Sequence, residues 1–175
     1  MLLNNKEQVE SIQNREVTYV KNFASLEREY DFNLLSKLIE ENDLMVDEMT
    51  SAGILKDVFH IYKVSNTLEE FKTFFDFLGK FFEYEKDPKD EVDLFFSFVS
   101  QVGRPHLDTE DIFIIGLKGT TIYRVFDNEN KDYCIEKGDM IFIPKGKKHK
   151  VLSMSPRIIA SIGFYGKRLD GQENI

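Results

Sequence analysis

His106 and Asp108 stand one residue apart in Pro105-His106-Leu107-Asp108, and His149 follows the run Gly138-Asp-Met-Ile-Phe-Ile-Pro144-Lys-Gly146-Lys-Lys. Two imidazoles and one carboxylate are the ligand set that holds a non-haem ferrous ion and leaves coordination positions open. On a strand, alternate residues point to one face, so His106 and Asp108 are expected to project together with Leu107 turned away. Pro144 presets its own φ and Gly146 tolerates the reversed one, a pairing that turns the chain just before His149. A lone H-x-D tripeptide is common on surfaces, so the metal reading depends on the two segments meeting.

To meet, they need a scaffold, and the second half of the chain reads as short strands. Runs of strand type occupy 92–99, 111–117, 121–126, 132–136, 140–144, 149–154 and 157–165, with turn signals at Lys118-Gly119, Asp127-Asn-Glu-Asn130 and Pro144-Lys-Gly146. The first ninety residues are richer in helix. Residues 17–23 read as a strand. Residues 25–42 read as a helix with Ser25 as N-cap, and 59–64 as a further strand. Thr67-Leu-Glu-Glu70 has the form of a capping box. It opens a helix with Phe71, Phe74, Phe75, Leu78, Phe81 and Phe82 on one stripe. That stripe is expected to pack on a sheet, with a homodimer surface as the alternative. The expectation is one domain over residues 1–175: an all-β barrel or sandwich at about 92–165, with helical N-terminal additions.

A net charge of -8 argues against a nucleic-acid binder, which needs a basic face, and against an anionic membrane surface. The single cysteine, Cys134, permits no internal disulfide and reads as a small core residue of a protein in a reducing compartment. No signal-peptide pattern and no run of about 20 apolar residues is present, so a soluble, cytoplasmic protein is expected.

Gly138, Pro144, Gly146 and His149 match G-x5-P-x-G-x2-H, and in this the chain resembles the cupin superfamily, whose fold is the double-stranded β-helix. The H-x-D of His106 and Asp108 resembles the Jumonji-type branch, the iron and 2-oxoglutarate oxygenases, and above all its bacterial-type protein hydroxylases. The resemblance covers residues 103–165 well. It implies His106, Asp108 and His149 as the metal triad, Fe(II) as the metal (manganese, nickel or zinc suit the same ligands) and 2-oxoglutarate as cosubstrate. The implied reaction is decarboxylation of 2-oxoglutarate to succinate coupled to hydroxylation of a protein or small-molecule substrate.

The chain departs from that pattern at several positions. Thr121 stands where the family has the Arg or Lys that pairs with the far carboxylate of 2-oxoglutarate, Gly116 where it has Gln, and Tyr123 where it has Trp. A hydroxyl cannot neutralise a buried carboxylate. Two cations are the replacements considered: Arg157, otherwise a solvated strand-edge residue, and Lys118, otherwise an exposed turn residue. Thr121 and Tyr123 share an inward parity that sends Arg124 outward. Asp111 lies at odd spacing from Asp108 and is expected to point away. His60 is expected to be a packed or surface histidine outside the barrel. Lys145, Lys147, Lys148 and Lys150 form either a solvated turn or a positive rim. Three functions stay open: a 2-oxoglutarate oxygenase, a metal cupin without 2-oxoglutarate (dioxygenase, isomerase or lyase), and a non-catalytic binding or sensor cupin.

Overall fold

The computed structural model describes residues 5–26, 28–48, 58–99, 101–153 and 155–168. Among the described residues, helices α1 (Lys6–Gln13), α2 (Phe32–Asn42) and α3 (Glu69–Phe81) precede or interleave with the early strands β1 (Thr18–Val20), β2 (Val46–Glu48) and β3 (Phe59–Ile61). Eight strands follow: β4 (Glu91–Ser97), β5 (Gln101–Val102), β6 (Asp111–Lys118), β7 (Thr121–Val125), β8 (Lys131–Ile135), β9 (Met140–Ile143), β10 (His149–Ser153) and β11 (Arg157–Phe164). With β1, β2 and β3 they form two antiparallel sheets, ordered β1-β9-β6-β11-β4-β3-β2 and β5-β10-β7-β8. The strand runs expected from the sequence between 92 and 165 are present within a residue or two of their predicted ends.

Alternation along the large sheet divides the interior into two cores. Phe113, Ile115, Met140, Phe142, Leu94, Ile158, Ala160 and Ile162 face the helices, with Ile12, Leu35, Phe71, Phe74 and Leu78 packed on them. The Phe stripe of α3 therefore covers a sheet, as expected, with Phe81 left 40% exposed at its margin. The opposite face, Ile112, Ile114, Ile141, Ile143 and Ile159, meets Tyr123, Val125 and Val151 of the small sheet. Facing sheets of this kind leave space between them wherever the inward residues are short or polar, and that is where the metal motifs lie.

Several local expectations fail for identifiable reasons. The helix expected from Ser25 begins at Phe32, capped by the Asp31 carboxylate on Leu34 N–H at 2.7 Å. Residues 22–24 are instead tied to the Gly138 turn: Ala24 N–H donates to Gly138 O and Asn22 N–H to Asp139 Oδ1, which holds them out of a helix. Thr67 does not cap α3. It ends a 3₁₀ turn at Val64–Asn66, and the N-cap of α3 is Leu68, which makes no side-chain bond. Cys134 is exposed, not a core residue, because β8 is a sheet edge that buries only Ile135. Among the described residues no helix is long and apolar enough to cross a membrane.

Candidate metal centre

His149 opens β10 and His106 lies directly across from it, each N–H donating to the other's carbonyl at 2.9 and 3.0 Å. Directly paired residues on antiparallel backbone place their side chains on one face, and the two imidazole centroids are 4.4 Å apart. Asp108 is not on a strand with His106, as the spacing suggested; it lies just beyond, in irregular backbone. What brings it in is the turn before His149. Gly146 N–H donates to Asp108 O at 3.0 Å, and Gly146 has the positive φ of 76° that this turn needs. Asp111 points away from Asp108, as expected. Its carboxylate is bidentate to Arg15, accepts from Tyr84 Oη, and accepts from Lys145 N–H at 2.7 Å, so it anchors the same turn from behind.

The result is a convergence of lone pairs. His106 Nε2 is 3.8 Å from Asp108 Oδ1, and His149 Nε2 is 3.4 Å from Asp108 Oδ2. Ligand atoms of the three residues all lie within 4.8 Å of one another. Both rings turn Nδ1 to a backbone carbonyl, His106 to Arg104 O and His149 to Lys147 O. A carbonyl only accepts, so Nδ1 carries the proton and each Nε2 presents its lone pair toward the carboxylate. Burial pushes the His149 pKa below the usual imidazole range, against the pull of Asp108, so the neutral ligand form is favoured. Three acceptors facing one point suit a cation, and the nitrogen and oxygen donors suit a first-row divalent ion.

Beside these groups a cavity of about 310 Å³ opens between the sheets. Arg157 lines it. Parity along β11 sends Ile158 and Ala160 to the helix-covered core and Arg157 inward, so the solvated strand-edge reading is wrong: the side chain is 1% exposed. Its Nη1 donates to Thr121 Oγ1 at 3.2 Å, Tyr123 lies against it, and Nε has no hydrogen-bond partner among the described residues. Burial lowers the guanidinium pKa from its ordinary value. The same burial pushes the Tyr123 phenol up to about 12, opposed by Arg157, so Tyr123 remains a neutral O–H donor. A buried cation with no carboxylate on it among the described residues costs several kcal/mol, and an anion entering the cavity relieves that cost. Thr121 thus holds, as a hydrogen-bond acceptor, a cation that another strand supplies.

The other candidate residues separate cleanly. Lys118 ends β6 half-buried and does not line the cavity. Arg124 faces outward, bidentate to Asp132. Gly116 admits no glutamine, because a Cβ there would sit 2.1 Å from Glu136 O. In the basic turn, Lys147 pairs with Asp127 and Lys148 lies over Phe126, which is the behaviour of a solvated turn. His60 is a packed histidine, as expected, but not one outside the barrel: it lines the same cavity, with Nε2 2.7 Å from Asp93 Oδ2. Asp93, Glu91 and Glu110 also line it, and no motif in the sequence marks them. The alternation of Glu91, Asp93 and Phe95 in β4 is the signal that points to the first two.

No protein-family model matches the chain. A probable inactive acireductone dioxygenase 1 from Caenorhabditis elegans is 27% identical over 78 residues, 43% of this chain and 48% of that protein. Among solved structures, the ribosomal oxygenase YcfD from Escherichia coli, in complex with cobalt and succinic acid, superposes with a TM-score of 0.73 and 19% identity. It covers 97% of this chain and 53% of YcfD. The non-haem α-ketoglutarate-dependent epimerase SnoN from nogalamycin biosynthesis superposes with a TM-score of 0.70 and 9% identity, covering 91% of this chain and 83% of its own. The chain spans about half the length of YcfD and of the nematode relative. It shares its fold, a double-stranded β-helix, with both of these structures.

Proposed function

We propose that the chain is a non-haem iron oxygenase that uses 2-oxoglutarate to hydroxylate a protein or small-molecule substrate. The observation that carries this reading is Arg157, a buried guanidinium with no carboxylate partner among the described residues, in a cavity that also receives both imidazoles and Asp108. His106, Asp108 and His149 would hold the ion. Arg157 would take the far carboxylate of 2-oxoglutarate, with Thr121 and Tyr123 fixing its plane and donating alongside it. Bound Fe(II) with 2-oxoglutarate supplies the oxygen activation. The chain's own part is positional: carbonyl bonds at Nδ1 keep both imidazoles ligand-ready, and the apolar walls of Ile112, Ile114 and Ile159 exclude water.

YcfD and SnoN, which share the fold, support this reading, as does the donor set. The whole chain as a single domain and a reducing cytoplasmic setting belong to the same proposal. A second reading, a metal cupin whose own substrate chelates the ion, draws on the likeness to the nematode protein. One experiment separates the two. Anaerobic Fe(II) loading followed by 2-oxoglutarate should give a metal-to-ligand charge-transfer band, and admission of oxygen should give succinate. Bound iron with neither signal refutes the oxygenase reading and leaves the second.

A further inference from the structure

Asp111 opens β6 and is 3% exposed. Its Oδ2 accepts from Arg15 Nη1 at 3.0 Å and from Tyr84 Oη at 2.7 Å. Its Oδ1 accepts from Arg15 Nη2 at 2.6 Å and from Lys145 N–H at 2.7 Å. A carboxylate offers about four lone-pair sites, and these donors use them all. Arg15 and Asp111 cancel in charge, so the pair acts on its surroundings through position. Arg15 follows α1 at a φ of 59°, the left-handed site past a helix end where glycine is favoured. Its N–H donates to Ile12 O at 3.1 Å. Arg168 Nη1 donates to the same carbonyl at 2.9 Å and its guanidinium lies 5.8 Å from the Tyr84 ring, so both side chains behind Asp111 are themselves held. Burial and the Asp111 charge push the Tyr84 phenol up, which keeps it a donor.

The remaining donor, Lys145 N–H, belongs to the turn that precedes His149. Lys147 N–H donates to Pro144 O at 3.1 Å and Gly146 has a φ of 76°, which makes residues 144–147 a type II turn. The residues after Lys145 each reach a ligand. Gly146 N–H donates to Asp108 O at 3.0 Å, and Lys147 O lies 2.9 Å from His149 Nδ1. Lys145 and Gly146 are exposed, so hydrogen bonds rather than packing set where they lie. A closed ring results. It runs along the chain from Asp108 to Asp111, through the Asp111 carboxylate to Lys145, on to Gly146 and back to Asp108. The carboxylate is the one side-chain link in that ring.

Resting on the reading of His106, Asp108 and His149 as metal ligands, we propose that Asp111, braced by Arg15 and Tyr84, is a positioning residue of the metal centre. By holding Lys145 N–H it sets where the Asp108 carboxylate lies relative to the two imidazoles, and so sets the affinity of the triad for its ion. Asp111 touches neither the ion nor a cosubstrate. The end of α1, some ninety residues before the first ligand, thereby becomes part of what tunes the site.

Lys145→Pro tests the link alone. Proline is favoured at this second position of the turn, and it removes the N–H while leaving Arg15 and Tyr84 on the carboxylate. The full chain is titrated with Co(II), followed by its visible absorption, for the parent, Lys145→Pro, Arg15→Ala and, as a packing control in the helix-covered core, Leu78→Ala. Lys145→Pro and Arg15→Ala should bind Co(II) roughly tenfold to a hundredfold more weakly, and Leu78→Ala, though it melts lower, should stay within about threefold of the parent. In the metal-free chain the Gly146 amide should exchange with solvent at least about tenfold faster in the first two variants, because its bond to Asp108 O is loosened. Should Arg15→Ala fail to fold, Lys145→Pro, which keeps the buried pair, decides the matter. A Lys145→Pro chain that binds Co(II) within about threefold of the parent overturns the proposal, as does a Leu78→Ala chain that loses as much affinity as Lys145→Pro. Failure of the oxygenase reading shows instead as a missing charge-transfer band in the parent with Co(II) still bound.

Discussion

Replacing Arg157 by methionine tests whether that buried charge exists for a ligand or for the fold. If it serves a ligand, Arg157→Met removes one partner of a desolvated charge pair, a change that costs about 2–5 kcal/mol of binding. At about 1.4 kcal/mol per tenfold, 2-oxoglutarate affinity falls by roughly 30- to 3,000-fold. The stability effect has the opposite sign. Methionine fills similar volume without charge, and exchange of buried ionic groups for apolar ones is worth about 1 to 4 kcal/mol in favour of the folded state. Loss of the 3.2 Å bond to Thr121 takes back about 1 kcal/mol of that. At about 2–4 °C per kcal/mol, the ligand-free variant should melt at the parent temperature or up to about 10 °C higher. Calorimetric titration of 2-oxoglutarate into Mn(II)-loaded protein gives the first quantity, and thermal melting of the metal-free chain gives the second. A variant that binds 2-oxoglutarate within threefold of the parent and melts several degrees lower would show Arg157 to be a structural group and not an anion anchor.

Asp108→Asn, nearly isosteric, should lower Fe(II) or Mn(II) affinity by at least about 100-fold, read by metal titration, since it removes the one anionic ligand from the set. Saturation of the parent chain with a divalent ion at about 100 times its dissociation constant should stabilise it by about 2.7 kcal/mol, and chelator should reverse the gain in a melting assay. Because burial depresses the His149 pKa, protonation is harder in the folded chain than in the unfolded one, so stability is full above about pH 6.5 and declines as pH falls through the depressed value. Melting curves from pH 8 to pH 5 should fall less steeply for His149→Gln than for the parent. Arg15→Ala should destabilise by about 3–5 kcal/mol in denaturant titration, because it leaves the Asp111 carboxylate, 4% exposed, without its bidentate partner.

The barrel was legible because its strands are short apolar runs, several of them buried along nearly their whole length, and its turns carry Gly and Pro at positions that need them. The convergence of His106, Asp108 and His149 was legible from their spacing: His149 follows a turn whose Gly146 conformation is required, and H-x-D is short enough to reach it. Residues whose partners are remote in sequence were not. Arg157 meets Thr121 from 36 residues away, and its inward direction follows from the parity of β11 relative to a sheet that the sequence alone does not order. His60 has the same difficulty, since its partner Asp93 and its neighbour Phe95 lie on β4. Ser25 and Thr67 are good caps locally, yet they were overruled by backbone ties to Gly138 and by the 3₁₀ turn before α3.

The reciprocal hydrogen bonds between His106 and His149 have a kinetic consequence. Both imidazoles project from the two sides of one backbone bridge, so an ion bound by both rivets the segment around 101–108 to β10. Release of such an ion is tied to fraying of that edge, and the barrier to fraying grows while the ion stays. The bridge amides of His106 and His149 should then exchange with solvent at the pace of metal dissociation, which makes the metal's residence time a property of the sheet edge rather than of the ligand atoms alone.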